Sequence, residues 1–328
     1  MPNKLVILDV GHGNAAAYLG DDAVVIVDCG ETYTLAEFLE GNEIDHVDTI
    51  FISHADKDHL KGILYLLEGE NNVRIDTVYV NPAQKKNTDL WRSFCTEVKK
   101  HRNGKTRLVT ALTPDSPGQI AYGTTLFDVL SPPPEMVAQE NNDNRWSAVI
   151  KISNEAVPVA IFAGDMDRTA LDLLLASGRD MNARILVFPH HGGRPGNADP
   201  AKFARDLAAA VEPSITLFSN GRYRFDNPLQ VVVNAVQEVA ERHHRVACTQ
   251  LAESCSSDTH PNRDVDASSA GRGKGNCCLG SLVVDLPPVP DRGKFVEQVL
   301  GPHQVFVDSL TARGYSPKCR QSAQTQGP

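Results

Sequence analysis

The sequence predicts a mixed α/β fold, and two observations support this prediction. Short apolar runs rich in β-branched residues, such as 23–28, 49–52 and 157–162, alternate with segments whose apolar residues recur at helical spacing. Polar clusters follow several of these runs, for example at 53–59 and 164–165. Because loops at strand ends converge in folds of this class, we expect residues that are distant in sequence to meet there.

The first half of the chain alternates regularly between the two kinds of element. Residues 4–10 form a predicted strand that ends at Gly11 and Gly13, which permit a tight turn close to a ligand. A second predicted strand, 23–28, completes a hairpin-like opening. Further predicted strands cover 49–52, 77–81 and 106–112, and predicted helices cover 34–40, 59–68 and 88–101.

The second half repeats the alternation after a loop that contains a proline run at 132–134 and a polar run at 139–145. Predicted strands cover 123–130, 147–153, 157–162, 185–188 and 215–219, and predicted helices cover 168–176, 200–211 and 228–243. Two later strands, 245–250 and 280–285, flank an insert rich in Ser, Gly and Asp, about 256–276. The composition of this insert predicts flexibility.

We expect one large domain, residues 1–286, followed by a C-terminal extension, 287–328. A chain of 328 residues can bury a large core, and no long internal repeat divides it. The extension starts with a proline-rich segment and contains a last predicted helix, about 294–312. Its polar end, 321–328, is predicted to be disordered.

Composition and charge argue against several functional classes. No apolar run is long enough to span a bilayer and no signal peptide is evident, so we expect a soluble cytoplasmic protein with no membrane association. Seven cysteines, an odd number, argue against a secreted disulfide framework and for reduced thiols or metal ligands. A net charge of −9 argues against nonspecific binding of duplex DNA over the whole surface, but is compatible with a local basic groove.

The segment Ser53–His59 carries the strongest chemical signal. Four of its seven residues, His54, Asp56, Asp58 and His59, can ligate a divalent metal, and the segment joins a predicted strand to a predicted helix. Hydrolytic metal centres need such imidazole and carboxylate ligands together with an open position for water. The alternative is that the two aspartates cap the helix and the histidines are ordinary surface residues.

Two later clusters argue for the metal interpretation. Gly164-Asp165 and His190-His191 also follow predicted strands, and they add a carboxylate and an imidazole. Three such clusters arising together without a shared role would be a larger coincidence than any one of them.

The ordered motifs resemble those of the metallo-β-lactamase-fold hydrolases, and most closely the branch found as the soluble domain of the DNA-uptake channel protein ComEC. The resemblance spans about residues 4–250, and its motifs are Asp9-Val10-Gly11-His12-Gly13-Asn14-Ala15, His54-Ala55-Asp56-Lys57-Asp58-His59, Gly164-Asp165 and His190-His191-Gly192-Gly193. It implies a four-layer αββα sandwich, a metallo-β-lactamase-like hydrolase domain over residues 1–286, one or two metal ions at its rim, and phosphodiester hydrolysis by a metal-activated water.

The resemblance also implies roles for individual residues. The expected metal ligands are His54, Asp56, Asp58, His59, Asp165 and His190. Asp165 is the expected bridging carboxylate, and Asp58 and His191 are the expected catalytic residues. His191 could be a ligand, orient His190 or donate a proton to the leaving oxygen. The expected substrate-binding residues are His12, Asn144, Ser147, Arg194 and Asn227, and Asp9 is expected to orient a ligating histidine.

Several positions depart from the pattern of that branch. His12 and Asn14 stand where the branch more often has Gln and Asp, so the first loop either contacts a different substrate or adds a ligand. Asn227 replaces a frequent histidine and removes an imidazole donor. Because the remaining site is rich in oxygen donors, Mn2+ is expected to compete with Zn2+.

The late cysteines allow a separate prediction. Cys248, Cys255, Cys277 and Cys278 could hold a structural Zn2+ ion, although their spacing lacks two regular Cys-x-x-Cys pairs and adjacent cysteines do not both ligate easily. The alternative, which the spacing favours, is that they are free thiols.

Three functions remain open from the sequence. The first is a metal-dependent phosphodiesterase or nuclease acting on nucleic acid or nucleotides. The second is a hydrolase of small thioesters, lactones or amides on the same fold, and the third is a non-catalytic scaffold with a degenerate metal site. Protein partners in a bacterial defence-type system are expected under the first.

Overall fold

The computed structural model describes residues 3–68, 73–80, 88–134, 146–239 and 243–320, with the side chains of residues 102 and 103 excepted. The predicted polar run at 139–145 and the predicted disordered end at 321–328 lie outside the described residues. Within the described ranges, no helix is long and apolar enough to cross a membrane.

The first sheet has seven strands in the order β14-β1-β2-β3-β4-β5-β6. They are β1 (Lys4–Ile7), β2 (Ala15–Leu19), β3 (Val24–Cys29), β4 (His46–Ile52), β5 (Arg74–Val80), β6 (Arg107–Val109) and β14 (Leu282–Asp285). Strands β14 to β3 pair antiparallel, whereas β3 to β6 pair parallel.

The second sheet also has seven strands, in the order β13-β12-β11-β10-β9-β8-β7. They are β7 (Gln119–Tyr122), β8 (Thr125–Ser131), β9 (Val149–Asn154), β10 (Val157–Phe162), β11 (Ile185–Val187), β12 (Ile215–Phe218) and β13 (Arg245–Cys248). Strands β7 to β10 pair antiparallel and β10 to β13 pair parallel, as in the other sheet.

Eight described α-helices accompany the sheets. They are α1 (Thr34–Gly41), α2 (Lys57–Leu60), α3 (Gly62–Glu68), α4 (Asp89–Lys100), α5 (Arg168–Ala176), α6 (Pro200–Val211), α7 (Gln230–Val239) and α8 (Arg292–Ala312). Side-chain caps define where several of them begin: Thr88, Asp167 and Asp199 each accept a backbone N–H from the first turn of the helix that follows.

Three apolar cores separate four layers. One core contains residues of both sheets, such as Phe51 and Phe127, and therefore fills the space between them. A second joins the first sheet to α1, α3 and α4, and a third joins the second sheet to α5, α6 and α7. This αββα arrangement confirms the predicted fold class and is consistent with a metallo-β-lactamase sandwich.

Strand β2 is absent from the sequence prediction. Its residues begin Ala-Ala-Ala, and alanine is depleted in strands, so neither composition nor alternation indicated an element there. The three alanines are buried in the strand that lies between β1 and β3. Tertiary burial therefore decides the conformation of this segment against its local preference.

Backbone hydrogen bonds hold three loops of the first sheet together. The N–H of Asn14 donates to the carbonyl of Asp58 at 3.2 Å, the N–H of Gly30 to that of Asn14 at 2.8 Å, and the N–H of Gly62 to that of Gly30 at 2.8 Å. A side chain at Gly62 would meet the Cys29 carbonyl oxygen at 1.9 Å. The single predicted helix over 59–68 is accordingly divided into α2 and α3 around this contact.

The C-terminal segments pack closely against the rest of the fold. Phe295 of α8 belongs to the core between the sheets, and Phe306 of α8 belongs to the outer core of the second sheet. In the insert at 256–276, the N–H groups of Ala270 and Gly271 donate to the carbonyl and carboxylate of Asp9, respectively. The insert is thus anchored to the first loop, and the domain boundaries at 286 and 287 remain predictions.

Candidate metal centre

Strand ends from both sheets meet at one edge of the sandwich. Strands β3 and β4 lead to Asp28 and to the segment Ser53–His59, and β10 and β11 lead to Asp165 and His190. The carbonyl of Ser53 accepts the N–H of Ala148 at 2.9 Å, which joins the two sheets directly beside this edge. Parallel pairing places Asp28 beside the segment Ser53–His59 in the first sheet and Asp165 beside His190 in the second, and the packing of the two sheets brings these motifs together.

His59 has one ring nitrogen committed to a buried carboxylate. Its Nδ1 lies 2.8 Å from Oδ2 of Asp28, which is 1% exposed and has a positive φ of 57°. An ionised carboxylate only accepts, so Nδ1–H of His59 is the donor, and in the neutral form of the ring Nε2 carries the free electron pair. That Nε2 lies 3.4 Å from Oδ1 of Asp165.

His54 faces the same carboxylate from the other side. Its Nε2 lies 3.8 Å from Oδ2 of Asp165 and 3.7 Å from Oδ2 of Asp56. His190 adds Nδ1 at 3.5 Å from Oδ2 of Asp165, and its backbone N–H donates to Oδ1 of that residue at 3.1 Å. His54, His59 and Asp165 each place one ligand atom within 4.8 Å of the others, and we call them the first donor group.

A second donor group consists of His12, Asp58 and His191, whose ligand atoms also lie within 4.8 Å of one another. Oδ2 of Asp58 is 3.4 Å from Nε2 of His12 and 3.2 Å from Nε2 of His191. Nδ1 of His191 donates to the carbonyl oxygen of Ser219 at 2.7 Å, so a neutral His191 directs an electron pair toward Asp58. Of the two roles predicted for the first loop, this position of His12 fits the added ligand.

The chemistry of both groups fits a divalent cation. In each group, imidazole nitrogens face carboxylate oxygens, and Nε2 of the neutral form of His59 or His191 directs an electron pair toward a carboxylate. Among the described residues, Nε2 of His54, His59 and His190 is buried without a hydrogen-bond partner. Two ligand atoms that are each about 2.1 Å from one tetrahedral ion are separated by about 3.4 Å, which is close to the separations found here.

Electrostatics set the protonation states of the donors. Burial opposes charging of His59 and His190, but Asp28 and Asp165 hold the pKa of His59 well above its usual value and Asp165 raises the pKa of His190, so a bound cation would displace protons from these rings. Burial and the charge of His191 lower the pKa of His12 to about 3, so its ring is neutral at pH 7. Burial opposes ionisation of Asp165, but His190 and His59 hold its pKa well below the usual value. Asp58 is likewise buried, and its hydrogen bond with His191 and the charge of His59 lower its pKa.

The structure places two predicted site residues in other roles. Asp9 contacts no histidine among the described residues: its carboxylate accepts from Gly11, Gly271 and Gln250 and so holds the first loop to the insert. Ser147 is fully buried and cannot contact a substrate; its Oγ accepts the N–H of Asp165 at 2.8 Å and lies 3.4 Å from Nδ1 of His54. Ser147 therefore positions donors instead.

Asp28 takes the role that the sequence assigned to Asp9. From the sequence, Asp28 is predicted only as the end of a strand. The signal for a functional role is that this ionisable residue directly follows a fully apolar run and precedes Cys29-Gly30. Asp28 also accepts the backbone N–H and the hydroxyl of Ser53, at 2.7 and 2.9 Å, so one carboxylate orients both His59 and the start of the metal-binding segment.

A cavity of about 490 Å³ opens over both donor groups. Its lining includes Arg194 and Asn227, as predicted for substrate contacts, together with Arg224 and Phe225. Asn227 also donates from Nδ2 to the carbonyl of His190 at 3.4 Å. Asn144, the remaining predicted substrate contact, lies outside the described residues.

A second groove adjoins this cavity. It has a volume of about 570 Å³, shares Asp56, Asp58 and Arg224 with the cavity, and adds Lys57 and Lys61. Basic side chains therefore border the acidic donor groups on the solvent side. Oxyanions are the ligands expected in such surroundings.

Asp28→Asn is expected to weaken metal affinity about 10- to 100-fold, because an amide removes the charge and one acceptor that fix His59 and Ser53. Competition with a fluorescent zinc chelator measures the affinity. The matched control is Asp76→Asn, since Asp76 also pairs with a histidine, His46, at 2.9 Å but at the surface. Equal affinities for the two variants would contradict the assigned role.

Comparison with known proteins agrees with this architecture. A family model described as the metallo-beta-lactamase superfamily matches residues 8–76, which include the first loop and the segment Ser53–His59. Among curated proteins, none matches the sequence.

Solved structures resemble the fold at low sequence identity. The metallo-beta-lactamase fold protein YhfI from Bacillus subtilis is 12% identical, with a TM-score of 0.48 over 75% of this chain and 96% of that chain. Igni18, a metallo hydrolase from the archaeon Ignicoccus hospitalis, is 12% identical, with a TM-score of 0.44 over 74% and 94%. Human tRNase Z, short form, is 12% identical, with a TM-score of 0.38 over 65% and 91%.

TM-scores as low as these carry no argument about function. The family match covers the part of the chain that supplies His12, Asp28 and the segment Ser53–His59, and the two seven-stranded sheets supply the architecture. Together they support a fold of the metallo-beta-lactamase superfamily for this protein.

Proposed function

We propose that the protein is a metal-dependent hydrolase that cleaves phosphodiester bonds in nucleic acids or nucleotides. The observation that carries the proposal is the pair of adjacent donor groups, each made of imidazole and carboxylate ligands, beneath one open cavity. Within the superfamily, the His-x-Asp-x-Asp-His signature and the later Gly-Asp and His-His motifs favour the ComEC-like branch.

Two sets of residues would hold the metal ions. His54, Asp56, His59, Asp165 and His190 surround the first position, and His12, Asp58 and His191 surround the second. A divalent ion bound there would lower the pKa of water toward neutrality and stabilise charge on a phosphoryl oxygen. Carboxylate-rich ligation is compatible with Mn2+ as well as Zn2+.

The orientation of His191 favours a ligand role over the alternative of a proton donor. Its Nδ1–H is fixed on the Ser219 carbonyl oxygen, and its Nε2 lies 3.2 Å from Asp58. A protonated Nε2 would therefore donate to Asp58 and not to a leaving oxygen. Asp58 and His191 act in this proposal by binding the second ion.

The rim of the cavity supports an anionic, base-containing substrate. Arg194 and Arg224 can neutralise phosphate oxygens, and Phe225, which is 71% exposed, presents a ring beside the donor groups. Exposed aromatic rings next to basic side chains are suited to stacking on nucleobases. The overall charge of −9 makes this local arrangement important, because a net negative charge disfavours the approach of nucleic acid to the protein as a whole.

A substrate panel tests the proposal. Protein loaded with Mn2+ or Zn2+ is assayed against single- and double-stranded DNA, RNA and cyclic dinucleotides, and in parallel against a thioester, a lactone and an amide. We expect cleavage of at least one phosphodiester. Cleavage of the carbonyl compounds alone would select the second function, and a folded protein that retains no metal would select the scaffold function.

Arg224→Ala is expected to raise KM for the cleaved phosphodiester about tenfold, which corresponds to about 1.4 kcal/mol. Arg224 pairs with Glu31 at 2.9 Å at the edge of the cavity. Arg205→Ala is a matched control, because Arg205 forms a comparable pair with Glu238 at 3.0 Å and is absent from the cavity lining. An unchanged KM in Arg224→Ala would show that Arg224 has a structural role and does not bind the substrate.

A further inference from the structure

A second group of potential metal ligands is buried away from the cavity. It consists of Cys248, Cys255, Cys278, His303 and Cys319, which we call the thiol cluster. All five side chains are buried, and the four cysteines belong to the apolar core on the outer face of the second sheet. None of them takes part in the proposed hydrolysis.

Three members of the thiol cluster already have ligand geometry. The sulfur of Cys278 lies 3.3 Å from Nε2 of His303, and the ligand atoms of Cys278, His303 and Cys319 all lie within 4.8 Å of one another. Thiolate sulfur and imidazole nitrogen are the donors of structural zinc sites.

Two further sulfur atoms lie beside this triad. The Leu279 N–H donates to the Cys248 carbonyl at 2.9 Å, and the Cys278 N–H donates to the carbonyl of Thr249 at 3.0 Å, so Cys248 and Cys278 lie on adjacent backbone segments. The sulfur of Cys255 accepts the N–H of Lys318 at 3.3 Å, next to Cys319 in the chain. Such N–H donation stabilises a ligating thiolate.

The sulfur atoms of the cluster also interact with one another. Those of Cys278 and Cys319 share a hydrogen bond, and those of Cys248 and Cys255 are near enough to Cys278 to interact with it electrostatically.

Cys277 does not belong to this cluster. Its sulfur lies 3.5 Å from Oδ2 of Asp9, in the contact between the first loop and the insert. Cys277 and Cys278 therefore face different surroundings, and the set predicted from sequence, Cys248, Cys255, Cys277 and Cys278, is corrected at one position. His303 and Cys319 were not predicted, because they lie in the C-terminal extension, 25 and 41 residues after Cys278.

We propose that the thiol cluster binds one structural Zn2+ ion through Cys278, His303 and Cys319, with Cys248 or Cys255 as the fourth ligand. Binding displaces the protons of the ligating thiols and completes a tetrahedral Cys3His site. The ion would link four segments of the chain. Cys278 lies just before β14, His303 in α8 and Cys319 after α8, and the fourth ligand is either Cys248 at the end of β13 or Cys255 after it. It therefore fastens the C-terminal extension to the outer face of the second sheet.

Cobalt substitution tests this site separately from the candidate active site. The proposed ligands of the active site include no cysteine, so an intense thiolate-to-cobalt absorption band in the near ultraviolet reports only the thiol cluster. We expect the band in reduced wild-type protein reconstituted with Co2+, and its loss in Cys278→Ser and Cys319→Ser. The matched controls Cys277→Ser and Cys95→Ser are expected to retain it, since the sulfur of Cys277 faces Asp9 and Cys95 packs against the outer core of the first sheet.

Separate Cys248→Ser and Cys255→Ser variants identify the fourth ligand, because only one of them is expected to lose the band. Zinc analysis should show one equivalent less in Cys278→Ser than in wild type, and a chelator should lower the Tm of wild type by about 5 °C or more. The spectrum of the wild-type protein tests the site even if a variant fails to fold.

The proposal is overturned if folded, reduced wild-type protein loaded with Co2+ shows no thiolate band, or if mass spectrometry finds a Cys278–Cys319 disulfide in protein purified under reducing conditions. The two proposals can fail independently. A thiolate band without phosphodiester cleavage contradicts only the proposed function, and cleavage without the band contradicts only the structural zinc site.

Discussion

Asp58→Asn is expected to lower kcat/KM for phosphodiester hydrolysis by about 10³-fold, equivalent to about 4 kcal/mol of transition-state stabilisation, and to release about one equivalent of metal. Asp58 is the only carboxylate of the second donor group and lies within 3.4 Å of both of its histidines. An amide keeps the volume of the side chain but is a weaker ligand. Steady-state kinetics and elemental analysis of the same preparation measure both effects.

Asp89→Asn is the matched control for this substitution. Both aspartates lie in the first turn of a helix, α2 for Asp58 and α4 for Asp89. Asp89 is exposed and lines neither the cavity nor the adjoining groove. If Asp58→Asn keeps wild-type activity and metal content, Asp58 is not a metal ligand and the proposed centre is wrong at this position.

Gly13→Ala is expected to reduce metal content and to destabilise the fold by about 1 to 3 kcal/mol or more. Gly13 has a φ of 134°, and a methyl group there would lie 2.3 Å from the carbonyl oxygen of Asp58. That oxygen belongs to the backbone, so no rotation of a side chain relieves the clash. The first loop or the metal-binding segment has to move, which separates His12 from Asp58. Thermal denaturation and zinc analysis measure the two outcomes.

Gly41→Ala is the control for the general effect of adding a methyl group. Gly41 is the last residue of α1, and no atom lies within 4 Å of the position its methyl group would occupy. Because alanine favours helices over glycine, this variant is expected to have a Tm equal to or above that of wild type. Equal stability of Gly13→Ala and Gly41→Ala would contradict the close approach of the two loops.

Much of the fold and of the metal centre could be predicted because strand-forming runs are followed directly by residues that can ligate a metal. The segment Ser53–His59 follows a β-branched run and contains four ligand-type residues, and Asp165 and His190 also follow such runs. Parallel pairing aligns the strand ends within each sheet, and the packing of the two sheets joins them at one edge. The position of each donor motif at a strand end was therefore accessible from local sequence.

Other features depend on contacts that no local pattern encodes. Asp28 becomes an orienting residue only because β3 pairs with β4, which places its carboxylate beside Ser53 and His59. Ser147 was predicted to contact the substrate. Its burial against Gly164 and Asp165 is a tertiary property that the local sequence does not show. His303 has no partner nearby in sequence, and only the packing of α8 brings it to Cys278.

The hydrogen bonds that join the loops at Asn14, Gly30, Asp58 and Gly62 use only peptide groups. Side chains on the first loop can therefore be exchanged without loosening the scaffold beneath them, provided that its glycines are kept. His12 illustrates this freedom, because it supplies an imidazole from one side of the cavity where Asn227, on the other side, offers none. A rigid backbone of this kind gives the fold capacity to acquire new metal preferences and substrates through single substitutions.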